Sequence, residues 1–227
     1  MLLKPLGTLR GIRLFDGGNQ MKIFESSKDM SKNAYLNWNT DKYDTAHNFY
    51  VLAKDFEEAA ITLMKAVLEN NKDKKADSLI MPIFYCIDQS IEVYLKAIIQ
   101  LRNHALNIQE KIYNKHDICT LFGKMRDKLD SKESIDDFEK CFKALSSYIE
   151  ELYKYIKPTE NSKLNMDFAR YPVDTKGNSH FYIESSDNVV VNMEELHRRF
   201  TAIASSLEGI YSMYREEMEH NNGQTNS

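Results

Sequence analysis

Cysteine is scarce in this chain. The three present, Cys86, Cys119 and Cys141, are far apart and odd in number, and no CxxC spacing occurs. Spacing therefore argues against a disulfide framework or a cysteine-based metal site and fits the reduced thiols of a cytoplasmic protein. Long apolar runs are missing too. None approaches the ~18–20 residues that a membrane helix needs, so no membrane partner is expected. The opening stretch MLLKPLGTLRGIRLFDGGNQ is broken by Lys4, Pro5, Arg10 and Arg13, which leaves no apolar centre for a signal peptide. An excess of positive charge is also lacking. The net charge is −4 and the pI about 5.9, so only a local basic groove remains as a route to nucleic acid. Phosphate-cradling loops, dinucleotide glycine motifs, HExxH and serine-hydrolase signatures do not occur, and Gly17-Gly18 reads as a turn. No cofactor or metal is expected.

What is present is helical periodicity. A chain of 227 residues can bury one good-sized core. Residues 1–40 stand apart, with four of the eight glycines and no helical period. They read as an extension in which residues 9–15 form a short hairpin or strand turning at Asp16-Gly17-Gly18-Asn19. Helices are predicted over 41–70, 76–103, 116–129, 134–156 and 192–220 from apolar residues at three- and four-residue steps. Pro82 either lies in the first turn of a later-starting second helix or kinks it. Ser134 with Asp137 resembles a capping arrangement, and Asn192 reads as the last helix's N-cap. Residues 158–191 break the period. Within them a turn at 174–178 is followed by His180-Phe181-Tyr182-Ile183 and Val189-Val190-Val191, which read as short strands. The tail 221–227 is polar and reads as disordered. The predicted fold is all-α: an up-and-down bundle of about five helices over 41–220, with a small β-hairpin insert before the last helix.

Four groups of residues carry candidate chemistry. Glu92 and Lys96 are four apart on one helix face, in the order favoured for an exposed pair, and flank the stripe Ile91, Leu95, Ile98. The simpler reading is a surface or boundary pair. Lys115-His116-Asp117 opens the third helix, where Asp117 suits the N-terminal end. His116 is either a capping or packing histidine or part of a polar centre with Glu92 or a residue of the loop in the 160s. Arg170-Tyr171-Pro172 lies in the irregular segment. Arg170 either anchors the loop to a helix C-terminus or a carboxylate, or contacts phosphate, which its planar fork suits, and His180 could return toward it across the hairpin. Arg215 and His220 end the last helix. Their five-residue step does not place them on one face, so they read as ordinary surface groups.

Glu92-x3-Lys96, Lys115-His116-Asp117-Ile118 and Arg170-Tyr171-Pro172, in that order within a helical chain, resemble a HEPN-like helical domain of the bacterial abortive-infection and toxin–antitoxin type. The resemblance spans about residues 41–220. It implies a helical bundle that dimerises and that either binds RNA or a protein partner, such as a cognate antitoxin or defence protein, or cleaves RNA without a metal. Cleaving relatives carry an arginine and a histidine four to six residues apart early in a late helix. Here that region reads His197-Arg198-Arg199, in the opposite order, and the one literal match, Arg215 and His220, lies at the helix's far end. The reading is therefore a dimerising binding protein. The alternatives are a ribonuclease using Arg170, His180 and His116, with Glu92, Lys96, Lys115, Asp117 and Tyr171 as the surrounding polar cluster, and an unrelated helical interaction protein.

Overall fold

The computed structural model describes residues 23–106, 108, 115–126, 132–156, 166–174 and 176–224. The expected hairpin over 9–15 and its turn lie outside them. The chain divides into two compact units, Met1–Trp38 and Asn39–Ser227. In the first, Asp29 caps a single 3₁₀ turn, Met30–Lys32, by accepting from the Ser31 N–H.

The second unit is helical. Its helices are α1 (Thr45–Glu69), α2 (Lys75–Ala105), α3 (Ile118–Arg126), α4 (Lys132–Cys141), α5 (Lys143–Ile156), the single turn α6 (Phe181–Glu184) and α7 (Met193–Gln224). Asp44 caps α1 through the His47 N–H at 2.8 Å, and Asn192 caps α7 through the Glu195 N–H at 3.1 Å. α7 runs on to Gln224, past the point where the polar tail was expected to begin.

α2 is the central element. Between Ser90 and Asn103 nearly every side chain is buried, whichever way it points. α1 packs against it antiparallel: contacts run from Lys75 and Ala66 through Tyr85 and Phe56, then Ser90 and Ala53, to Tyr94 and Tyr50. Ala46, Ala53 and Ala60 recur every seven residues on the buried face of α1. Their small side chains let the two backbones approach closely, and Ser90 Oγ donates to the Ala53 carbonyl at 3.0 Å. α7 runs antiparallel to α1. Tyr211 stacks on Tyr50 with ring centroids 4.1 Å apart, and Arg215 reaches back to Asp44. Pro82 lies inside α2, eight residues from its start, rather than in its first turn. The carbonyl that loses its partner, that of Ser78, belongs to an exposed residue where water can replace the bond.

Three expectations need correction. Among the described residues there is no β-hairpin before α7. The segment 181–184 is a helical turn, 189–191 has no regular structure, and the sheet-like feature among the described residues is an isolated bridge between Val173 and Ser179. A strand would turn Phe181 and Tyr182 to opposite faces, yet both are half-buried, and Phe181 packs on Phe168 and Tyr155. The turn itself forms: Asp174 Oδ1 accepts from the Lys176 and Asn178 N–H groups, and Gly177 takes the left-handed conformation at φ 84°. Second, the predicted fourth helix is two. α4 and α5 part at Phe142, although backbone bonds still bridge the break. The halves serve different neighbours. Phe138 stacks on Phe122 of α3 and Phe142 meets the same ring edge-on, whereas Glu151 of α5 pairs with Arg199 of α7. Ser134 falls inside α4 and is not its cap. Third, α3 runs in the same sense as α2, from the level of Glu92 to that of Arg102, so this step departs from strict up-and-down order.

Candidate functional site

Glu92 and Lys96 are not a surface pair. Both side chains are buried, with 6% and 5% exposure, and Lys96 Nζ donates to Glu92 Oε1 at 2.7 Å. The boundary expectation fails because α2 is covered on every side at this level, by α1, α3 and α7. A charge removed from water costs several kcal/mol unless a close partner offsets it, and here each residue supplies that partner to the other.

His116 meets the same carboxylate. Its Nδ1 lies 3.0 Å from Glu92 Oε1 while the ring is 70% exposed. The buried pair thus holds an imidazole at the surface, with Lys115 exposed beside it. Asp117, next along the chain, points the other way. Its Oδ1 accepts from the Cys119 and Thr120 N–H groups at 2.9 and 3.0 Å and starts α3. The capping reading therefore belongs to Asp117 and the polar-centre reading to His116.

Arg170 follows a 3₁₀ turn, Met166–Ala169, whose Phe168 is buried against Phe84 of α2. Its guanidinium donates to Asp167 Oδ1 at 2.5 Å and lies 5.3 Å from the centre of the exposed Tyr171 ring. The Asp167 bond, more than any other influence, raises the Arg170 pKa and keeps it charged. Arg170 thus anchors the loop to a carboxylate while staying 43% exposed. His180 does return toward this segment, its N–H donating to the Pro172 carbonyl at 3.4 Å. Its side chain does not join the cluster. The ring stacks on Tyr182, Nε2 is buried without a hydrogen-bond partner among the described residues, and no hydrogen bond links it to Arg170 or His116.

The residue that the spacing argument missed is Asp88. It is buried on α2 one turn before Glu92, and its Oδ1 has no hydrogen-bond partner among the described residues. Burial pushes its carboxyl well above the usual carboxylate range. The charges of Glu92, Asp117 and Asp167 push the same way, and Arg170 alone opposes them. Asp88 is thus the point at which these separate segments meet electrostatically. The signal was in the sequence: Asp88, Glu92 and Lys96 repeat every four residues, a polar line along one face of an otherwise apolar helix. Among the described residues no group of histidine, cysteine and carboxylate side chains is arranged to hold a metal ion.

A second polar network ties the helices elsewhere. Tyr50 donates to Glu208, Tyr94 donates to Glu57 at 2.7 Å, and Lys54 bridges the two glutamates. Burial first, and then the bond to Glu208, push the Tyr50 phenol up to about 12. Arg215 is held by Asp44 and Glu219, and His220 is exposed. No helix among the described residues is long and apolar enough to cross a membrane. Comparison with protein-family models, curated proteins and solved structures gave no match to this chain.

Proposed function

We propose that this chain is a HEPN-like protein of a bacterial defence or toxin–antitoxin system, that it pairs with a second copy of itself, and that it binds single-stranded RNA on the face carrying Lys115, His116, Arg170 and Tyr171. The observation that supports this reading is the exposed His116 ring fixed by a buried Glu92–Lys96 pair. A buried ion pair is weak evidence of stability, because apolar residues of similar size do as well or better in its place. One that instead presents an outward-facing imidazole next to a lysine suits a polar ligand. Arg170 over Tyr171 adds a cation for phosphate and a flat ring for a base. The pairing of charges with Asp167 and Glu92 makes the face only mildly basic, in keeping with the chain's acidic balance.

Geometry favours binding over cleavage. Metal-independent cleavage needs an acid or base within reach of the phosphate and a cation beside it. His180, one of the two histidines proposed for that role, has its ring turned inward. The test is binding of mixed-sequence single-stranded RNA by the full chain in EDTA. Arg170→Ala and Lys115→Ala should each weaken binding roughly threefold to tenfold, as expected for a lost charged contact of about 1 kcal/mol, and the RNA should stay intact. Cleavage that disappears in Arg170→Ala and His116→Ala would instead establish the ribonuclease. Absence of RNA binding, with capture of a protein partner, would leave a helical interaction protein.

A further inference from the structure

One buried acid lies between the two halves of the proposed RNA face. Phe84, Asp88, Glu92 and Lys96 follow one another at four-residue steps along α2. Phe84 meets Phe168, two residues before Arg170, with ring centroids 5.7 Å apart, and Glu92 holds His116. Asp88, only 4% exposed, is one turn from each of these contacts. The other carboxylates around it are provided for. Glu92 has Lys96 and His116, Asp167 has Arg170, and Asp117 accepts from the Cys119 and Thr120 N–H groups. From α5 the buried Tyr148 phenol is within electrostatic reach. Burial keeps its proton on, and the charges on its other side, Arg199 and Glu151, pair with each other. Asp88 has no such provision. Its Oδ1 lacks a hydrogen-bond partner among the described residues, and the charge that opposes its own is that of Arg170.

An ionised Asp88 therefore adds a negative charge with no cation of its own close to Arg170. That charge acts against an incoming phosphate in two ways: it repels the anion, and it competes for the guanidinium. Buried charges are screened far less than exposed ones, so both effects reach the surface. Protonation removes them. Burial, and then the neighbouring carboxylates, favour the protonated form, which moves the change above the usual carboxylate range.

We propose, resting on the RNA-binding reading, that Asp88 is a proton-operated regulator of this face: with its proton the face takes phosphate, and without it the face holds RNA weakly. Phosphate on Arg170 disfavours the Asp88 anion. RNA binding therefore takes up a proton, and affinity falls as pH rises through the folded value.

The experiment measures binding of mixed-sequence single-stranded RNA to the full chain in EDTA, at constant ionic strength, from about pH 4 upward. Wild type is compared with Asp88→Asn, which keeps the shape and cannot ionise. All other titrating groups, His116 among them, are common to both chains, so the ratio of the two affinities isolates Asp88. The chains should bind alike at the acid end. At the alkaline end Asp88→Asn should bind roughly fivefold or more tightly than the wild type, the low end of measured coupling between sites. Calorimetry in buffers of different ionisation enthalpy should show proton uptake when the wild type binds RNA and less when Asp88→Asn does, a readout that a merely structural role would not move. A ratio that stays flat, with RNA bound by both chains, would overturn the regulator and leave RNA binding standing. Absence of RNA binding by both chains at every pH would overturn both. If Asp88→Asn does not fold, by circular dichroism and thermal melting, calorimetry on folded His116→Ala decides: proton uptake on binding RNA should persist there, and its loss would overturn the proposal.

Discussion

Glu92 and Lys96 share an ion pair that water barely reaches, so removing one charge strands the other. Glu92→Gln should destabilise the chain by ~3–5 kcal/mol, whereas Glu92→Leu with Lys96→Met should be neutral or stabilising by ~1–4 kcal/mol. Chemical denaturation of the two variants measures both. A single-variant loss below ~1 kcal/mol would mean that the pair is solvated. Asp88 makes a pH-dependent prediction. Its carboxyl, normally near 3.8, is raised in the folded chain, first by burial and then by Glu92. A group raised on folding holds its proton better in the native state. Its contribution is therefore complete below about pH 3.8 and is lost as pH rises from there through the folded value. Asn carries no such titration. Asp88→Asn should gain melting temperature over the wild type as pH rises from about 4, levelling off above the folded value, and a difference that stays flat from pH 4 upward would contradict the assignment.

The helix pair α1 and α2 shows how small residues set an element's position. Ala53 is fully buried at the point where Ser90 bonds its carbonyl. A larger side chain there must push the helices apart and break that bond. Ala53→Leu should cost ~1–3 kcal/mol from overpacking, or ~2–4 °C of melting temperature per kcal/mol for a domain of this size. An unchanged melting temperature would mean that the helices are farther apart than described. The long helices were legible because their periodicity is strong: α1, α2 and α7 begin and end within a few residues of expectation, with Asn192 capping as its chemistry suggests. The insert was not legible. Phe181-Tyr182-Ile183 has strand-like composition, but no neighbouring strand pairs with it, and burial of both aromatic rings against the bundle outweighs intrinsic preference. The break at Phe142 was hidden because the apolar period continues across it while α4 meets Phe122 of α3 and α5 meets Arg199 of α7.

At the scale of the whole molecule, the proposed pairing predicts a light-scattering mass near twice 26.5 kDa. A monomer at high concentration would remove the dimer from the proposal while leaving its RNA face testable. The sequence by itself determined the helical class, the main helix spans and the residues worth watching, because periodicity, caps and charge spacing are local properties read within one or two turns. It also placed Asp117 at a helix start, since the N–H groups that its side chain accepts from lie within three residues. Only the tertiary structure decided which charges are buried. Glu92 and Lys96 look like a solvated pair on an isolated helix and become a core pair once α1, α3 and α7 close around α2. It alone gave Asp88 its role, because desolvation depends on what the rest of the chain brings to the same place.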